Sequence, residues 1–207
     1  MVHDRRTIER ELRVDINRKA VHSLLGYRKG QTAWTQEMAT LLQRTYSEAL
    51  DLVEPVGVYI VRRIREKDDE IRFFRTKTRI KSRSIRMLFH KATAAVFLAV
   101  TIGPKLEEKI QEETAKGRNE KALVLDAIGS EAVEAAADSL NTHLVSLARQ
   151  TRHFLTTRFS PGYGDLPLSF QQDLYRELSL RDIGVRINEK HILFPQKTIT
   201  AVIGVEP

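Results

Sequence analysis

Cysteine is absent from this chain of 207 residues. The absence excludes disulfides, thiolate nucleophiles and every cysteine-ligated metal centre, and it is in keeping with an intracellular setting. The six histidines, His3, His22, His90, His143, His153 and His191, lie without the short spacings that gather metal ligands, so no zinc site is expected. Long hydrophobic runs are missing too. The longest, "ATAAVFLAV" over residues 92–100, is about half of what a membrane span requires and predicts a buried element instead. The N-terminal "MVHDRRTIER" has charge with no apolar segment behind it, so it does not read as a secretory signal, and a cytoplasmic protein without a membrane segment is the expectation. No Ser-His-Asp or paired-carboxylate arrangement can be set out from spacing.

What is present belongs to a soluble globular chain: 42% hydrophobic and 29% charged residues, with no Pro/Ser/Gly-rich linker, which predicts one domain over 1–207. The net charge of +7 favours an acidic partner, protein or nucleic acid.

The pattern predicts an α+β fold with a bent, mainly antiparallel sheet flanked by helices. "ERELRVDI" (9–16) alternates Leu12, Val14 and Ile16 with charge, as a half-buried strand does. A helix follows, capped by Thr32 or Thr35 and stopped before Pro55, with Trp34 and Tyr46 as core or rim residues. "VGVYIVRRIR" and "EIRFFRTKTRI" read as a hairpin through "EKDD", and "AVFLAVTIG" as another strand. Pro104 is placed in the first turn of a further helix, and the strand-to-helix passage "AVTIGPKLEEK" is read as a structural turn rather than an anion site. Residues 119–149 carry Ile128, Ala132, Ala136, Leu140 and Leu144 at helical spacing and predict the longest helix. After it come a strand at "HFLTTRF", a loop, a helix near "LSFQQDLYREL", and two closing strands in "IGVRINEKHILF" and "KTITAVIGV".

The loop "RFSPGYGDLPLSFQ" (158–171) holds two of the six prolines and two of the ten glycines. Pro161 fixes φ, Gly162 permits angles and close approaches that a Cβ forbids, Arg158 offers a fork for a carboxylate and Tyr163 a ring to pack beside it. A tight turn with a surface arginine is the other reading of the same residues. The second feature is "RTKTRIKSR", where Arg75, Lys77, Arg79, Lys81 and Arg83 recur at every second position. In one extended strand all five would share a face, either a solvated edge protected by its charges or a docking stripe for an anionic partner. Nucleic acid is the less favoured anion, because only Phe73 and Phe74 accompany the run as stacking groups.

"RFSPGYGDLPL", followed by "IGVRINEKHILFPQKTITAVIG", resembles the C-terminal reactivation domain of cobalamin-dependent methionine synthase, whose signature is an Arg-x-x-x-Gly-Tyr loop and a downstream apolar-Pro-x-x-Ser/Thr-x-Ser/Thr segment. The clearest resemblance spans 158–204. It implies that S-adenosylmethionine is the bound cofactor, with Arg158 on the methionyl carboxylate, Pro161 and Gly162 shaping the backbone that lines the ligand, Tyr163 near the sulfonium and Glu131 as a further polar contact. The chain departs from the family in having no counterpart of its N-terminal acidic ligand residue, and in having Val202 and Ile203 where the family has an aromatic pair. It also has no Asp-x-His-x-x-Gly cobalamin motif. The implied role is therefore a stand-alone reactivation domain, supporting reductive methylation of cob(II)alamin on a separate cobalamin-carrying methionine synthase subunit with an electron from a flavodoxin-like donor, the stripe docking either that donor or the cobalamin domain. The other readings are a reactivator of a different corrinoid methyltransferase, and a non-catalytic basic module for RNA or an acidic protein.

Overall fold

A computed structural model describes residues 5–28 and 35–207. Its centre is the apolar run read from the sequence. β5 (Ala94–Thr101) is buried at every position and pairs antiparallel with β2 (Val56–Lys67) on one side and β9 (Thr198–Glu206) on the other. Such a strand reads as continuously hydrophobic because both of its faces are covered. Successive side chains divide between two cores: Ala94, Val96, Leu98 and Val100 point to one, and Ala95, Phe97 and Ala99 to the other.

The sheet continues outward from β2 to β3 (Ile71–Phe73) and β4 (Arg79–Ile80), and from β9 to β6 (Phe154–Leu155), with every pairing antiparallel. β1 (Thr7–Glu9) pairs with the opening rows of β2, whereas β3 pairs with its far end across a register shift between Ile64 and Glu66. A strand that changes partners along its length and shifts register bends, and the sheet curls accordingly.

Helices α1 (Arg18–Leu24), α2 (Gln36–Leu52), α4 (Lys105–Ala115) and α5 (Asn119–Gln150) cover the first face. Thr35 caps α2, its hydroxyl accepting the Met38 N–H at 3.2 Å. Close packing of α4 on α5 depends on Gly129, where a Cβ would stand 2.6 Å from a Leu106 methyl. α3 (Arg83–Leu88), α6 (Gln171–Glu177) and the small hairpin of β7 (Arg186–Ile187) with β8 (Leu193–Phe194) lie with the second core. No helix among the described residues is long and apolar enough to cross a membrane.

A buried charge cluster ties three helices together. Glu113 of α4 is fully buried, with Lys109 at 3.0 Å, Arg118 at 3.2 Å and Lys121 of α5 at 3.5 Å, and Lys121 also reaches Glu48 of α2 at 2.7 Å. Contact with the Lys109 ammonium, helped by Lys121 and Arg118, pulls the Glu113 carboxyl from 4.5 down to about 2. A carboxyl held low in the folded chain stabilises it fully above pH 4.5, and the contribution is lost as pH falls toward 2. We expect urea midpoints to fall steeply between pH 4.5 and 2 in the unaltered chain and more gently in Glu113→Gln, which starts from a lower plateau. Parallel curves for the two proteins would remove Glu113 from the acid response.

Several elements differ from the sequence reading. In the 9–16 run only Glu9 lies in a strand, at the end of β1. Leu12, Val14 and Ile16 do alternate toward the core, but residues 10–17 lie outside any strand and over α5, with the Arg13 N–H donating to Ser139 Oγ at 3.0 Å. A period of two reports an extended backbone, whether or not it is paired. Pro104 stands at the N-cap of α4 rather than inside its first turn. Of the strand at 153–159 only β6 and an isolated bridge from Phe159 to Val202 form. The last segment becomes β9, inside the sheet, while 186–194 forms the separate hairpin. Tyr46 is a core residue; His3, Thr32 and Trp34 lie outside the described residues.

The 75–83 segment is not one strand. Arg75 sits in a turn with φ +57°, only Arg79 and Ile80 join the sheet, and Arg83 opens α3. All five cations are nevertheless exposed, because the residues between them are held inward. Thr76 and Thr78 donate to the Glu177 carboxylate, Ile80 fills the second core, and Ser82 donates to Asp165 at 2.6 Å. Arg62 of β2 completes the Glu177 group with two bonds of 3.0 and 2.8 Å.

Candidate functional site

The site is built where the chain leaves β6 and crosses the sheet toward α6. Phe159 exchanges two backbone bonds with Val202 of β9, at 3.0 and 2.9 Å, which fixes the direction of its neighbour Arg158. The Arg158 side chain turns to α5, placing Nη2 at 2.7 Å from Asp138 and 3.2 Å from Glu134, two carboxylates one helical turn apart on the same face. Its other terminal nitrogen, Nη1, is buried with no hydrogen-bond partner. A buried donor without an acceptor is costly, and a ligand oxygen would satisfy it.

Beyond Arg158 the loop closes on itself. The Tyr163 N–H donates to Ser160, the Leu166 N–H to Tyr163, and the Gly162 N–H back to the Leu166 carbonyl at 2.9 Å. Gly162 adopts φ +90°, in the left-handed region that favours glycine. Pro161 and Leu166 are buried as anchors, while Tyr163 between them is 70% exposed. Together Glu134, Arg158, Phe159, Ser160, Tyr163 and Ile199 line a cavity of about 250 Å³.

Arg158 and Tyr163 thus line one cavity, and Pro161 and Gly162 shape the loop between them. Glu131 lies one turn earlier on α5, partly buried and outside the cavity lining, where Glu134 stands instead. Burial, then the charges of Glu134 and Asp138, push its carboxyl up. Sequence reasoning missed Glu134, Asp138 and Ser160. The first two could have been found as positions i+3 and i+7 from Glu131, the same polar stripe of the helix. A second cavity, of about 540 Å³, lies on the far side of Asp138 between the unpaired N-terminal segment and α5. Glu11 and Asp15 line it, so N-terminal carboxylates do reach the neighbourhood of the site. Val202 and Ile203 are fully buried, one in each core.

Chemically, a guanidinium with one free nitrogen beside two carboxylates matches an α-amino acid head group, which presents one charge of each sign. An exposed phenol ring at the rim suits a neighbouring cation. Of the 75–83 cations, Arg79 meets Glu70 at 3.4 Å, whereas the side chains of Lys77, Lys81 and Arg83 form no ion pair among the described residues.

No family profile matches the chain, and no curated protein matches it. Among solved structures it is similar to a crystal structure of the MetH reactivation domain bound to AdoHcy, with a TM-score of 0.71 and 14% identity, over 100% of this chain and 79% of that one. The chain has the fold of that reactivation domain: a curled antiparallel sheet flanked by helices, one of them long.

Proposed function

We propose that the chain binds S-adenosylmethionine in the cavity between the 158–166 loop and α5, and that it serves in trans as the reactivation domain of a cobalamin-dependent methionine synthase. The observation that carries the reading is Arg158, which lines a cavity together with Glu134 and Tyr163 and keeps a buried, unpartnered Nη1, in a fold that binds AdoHcy in its solved neighbour. Nη1 takes the methionyl carboxylate while Nη2 remains on Asp138 and Glu134. Those carboxylates receive the ammonium, and Tyr163 packs against the sulfonium.

The reaction is reductive methylation of a partner-held substrate: cob(II)alamin, one electron from a flavodoxin-like donor and the methyl group of S-adenosylmethionine give methylcobalamin and S-adenosylhomocysteine. This chain's part is to orient the methyl donor and exclude water, tasks that require no general acid or base. Arg75, Lys77, Arg79, Lys81 and Arg83 supply the docking face for the acidic donor or for the cobalamin-carrying subunit.

The test is direct. Added to a cob(II)alamin-loaded methionine synthase that lacks its own C-terminal domain, the chain is expected to support methylcobalamin formation that requires both S-adenosylmethionine and a reductant. Without a linker the two proteins lack a high effective concentration, so the rate rises with the concentration of this chain. Methylcobalamin at the same rate without it, or none across several cobalamin-carrying partners, would reject the reading. Salt-dependent retention on RNA without any response to S-adenosylmethionine would favour the basic binding module, which the exposed 75–83 cations also fit.

A further inference from the structure

Asp165 stands two residues after Tyr163, lines neither cavity beside Arg158 and is exposed, yet its carboxylate is saturated by another part of the chain. Ser82 Oγ donates to Oδ1 at 2.6 Å, the Arg83 N–H to Oδ2 at 2.5 Å and the Ser84 N–H to Oδ1 at 3.1 Å. Ser82 Oγ in turn accepts the Ile85 N–H at 3.1 Å, so serine and aspartate together cap the opening turn of α3. The bond from Ser82, with those from Ser84 and the backbone, holds the Asp165 carboxyl well below the usual carboxylate range. The adjoining Gly164 is pressed on the same element, since a Cβ there would stand 3.3 Å from both Ser84 Oγ and the Phe159 ring.

The ligand loop and the end of the cationic segment are therefore one mechanical unit. Gly162, Tyr163 and Leu166 are joined by the loop's own backbone bonds, and Asp165, within that closed ring, fastens it to residues 82–84. The carboxylate two residues after Tyr163 thus draws all three of its donors from the start of α3.

We propose that Asp165 is the positioning residue of the ligand loop, setting Tyr163 and the Gly162 backbone for the ligand and passing the occupancy of the cavity to Arg83 and Ser84, where the cationic docking segment ends. The inference rests on reading the cavity as a site for S-adenosylmethionine or its product. By linkage, a ligand that tightens this fastening favours whatever binds at residues 82–84, and the reverse.

Amide exchange with and without AdoHcy, followed by magnetic resonance on the full chain, tests it. AdoHcy is expected to slow exchange at the Arg83 and Ser84 amides by roughly fivefold or more, the lower end of ordinary coupling between sites. Asp165→Asn keeps the shape but loses the charge and turns one acceptor into a donor. It is expected to weaken AdoHcy binding by roughly tenfold and to abolish the response at 83 and 84. Calorimetric binding of AdoHcy with no change at those amides overturns the inference and leaves the ligand reading standing. Absence of binding to the unaltered chain overturns both. Should Asp165→Asn fail to fold, Ser82→Ala, which removes one of the three bonds, is expected to give a smaller loss of affinity, and wild-type affinity in that variant would count against the link.

Discussion

Arg158→Ala is expected to weaken S-adenosylmethionine binding by ten- to a hundredfold, since losing a charge-assisted bond costs about 1.5–3 kcal/mol. The substitution has a second effect of opposite sign. It frees Glu134 and Asp138, which Arg158 engages at 3.2 and 2.7 Å, to attract the ligand's two positive centres. Both carboxylates are largely exposed, so this compensation is screened and the loss of the carboxylate fork prevails. Arg158→Lys separates the two contributions, because an ammonium keeps the charge without the fork and should fall between the parent and the alanine variant. Titration calorimetry on the three proteins gives the order. Equal affinities would take Arg158 out of the site.

Glu177→Ala is expected to destabilise the fold strongly. Its carboxylate meets Arg62 at 2.8 Å with both side chains nearly covered, 12% and 13% exposed, and it accepts hydroxyl bonds from Thr76 and Thr78. Removing it takes two bonds and a close opposite charge from the nearly buried Arg62, and their acceptor from Thr76 and Thr78, at a cost of up to about 3–5 kcal/mol. In a chain of this size that lowers Tm by roughly 6–20 °C. The same change releases the inward side of the 75–78 segment, so the exposed cations lose their fixed spacing. Thermal unfolding is the measurement, and a loss below about 1 kcal/mol, the worth of an exposed pair, would show that the cluster contributes little.

Much of the framework was legible because its signals are local. Thr32 or Thr35, with the apolar spacing after it, marks α2; the β-rich runs at 56–65 and 70–80 with the charged turn at 66–69 mark the β2–β3 hairpin; the helical periodicity over 119–149 marks α5. Each signal lies within a few residues of the structure it specifies. The loop from Arg158 to Tyr163 was legible for the same reason, since proline and glycine restrict or release the backbone at their own positions.

The misreadings share a cause. Residues 10–16 and 75–83 both alternate with a period of two, but alternation records only that side chains take turns facing the core. What holds each segment in place is supplied from far away: Ser139 for the Arg13 backbone N–H, Glu177 for Thr76 and Thr78, Asp165 for Ser82. The site behaves likewise. Glu131, Glu134 and Asp138 share one polar stripe of α5, and the sequence offers no means of ranking them.

By its own pattern the sequence determined the buried apolar strand, the long helix, the hairpin and a shaped loop carrying an arginine and a tyrosine. Only the tertiary structure decided that β9 lies inside the sheet, that Arg158 meets Glu134 and Asp138, and that Asp165 fastens the loop to the start of α3. The physical reason is range. Backbone propensity and side-chain period act over one or two turns, whereas the partner of a charge or a donor is chosen by which distant segment the packed cores bring within about 3 Å.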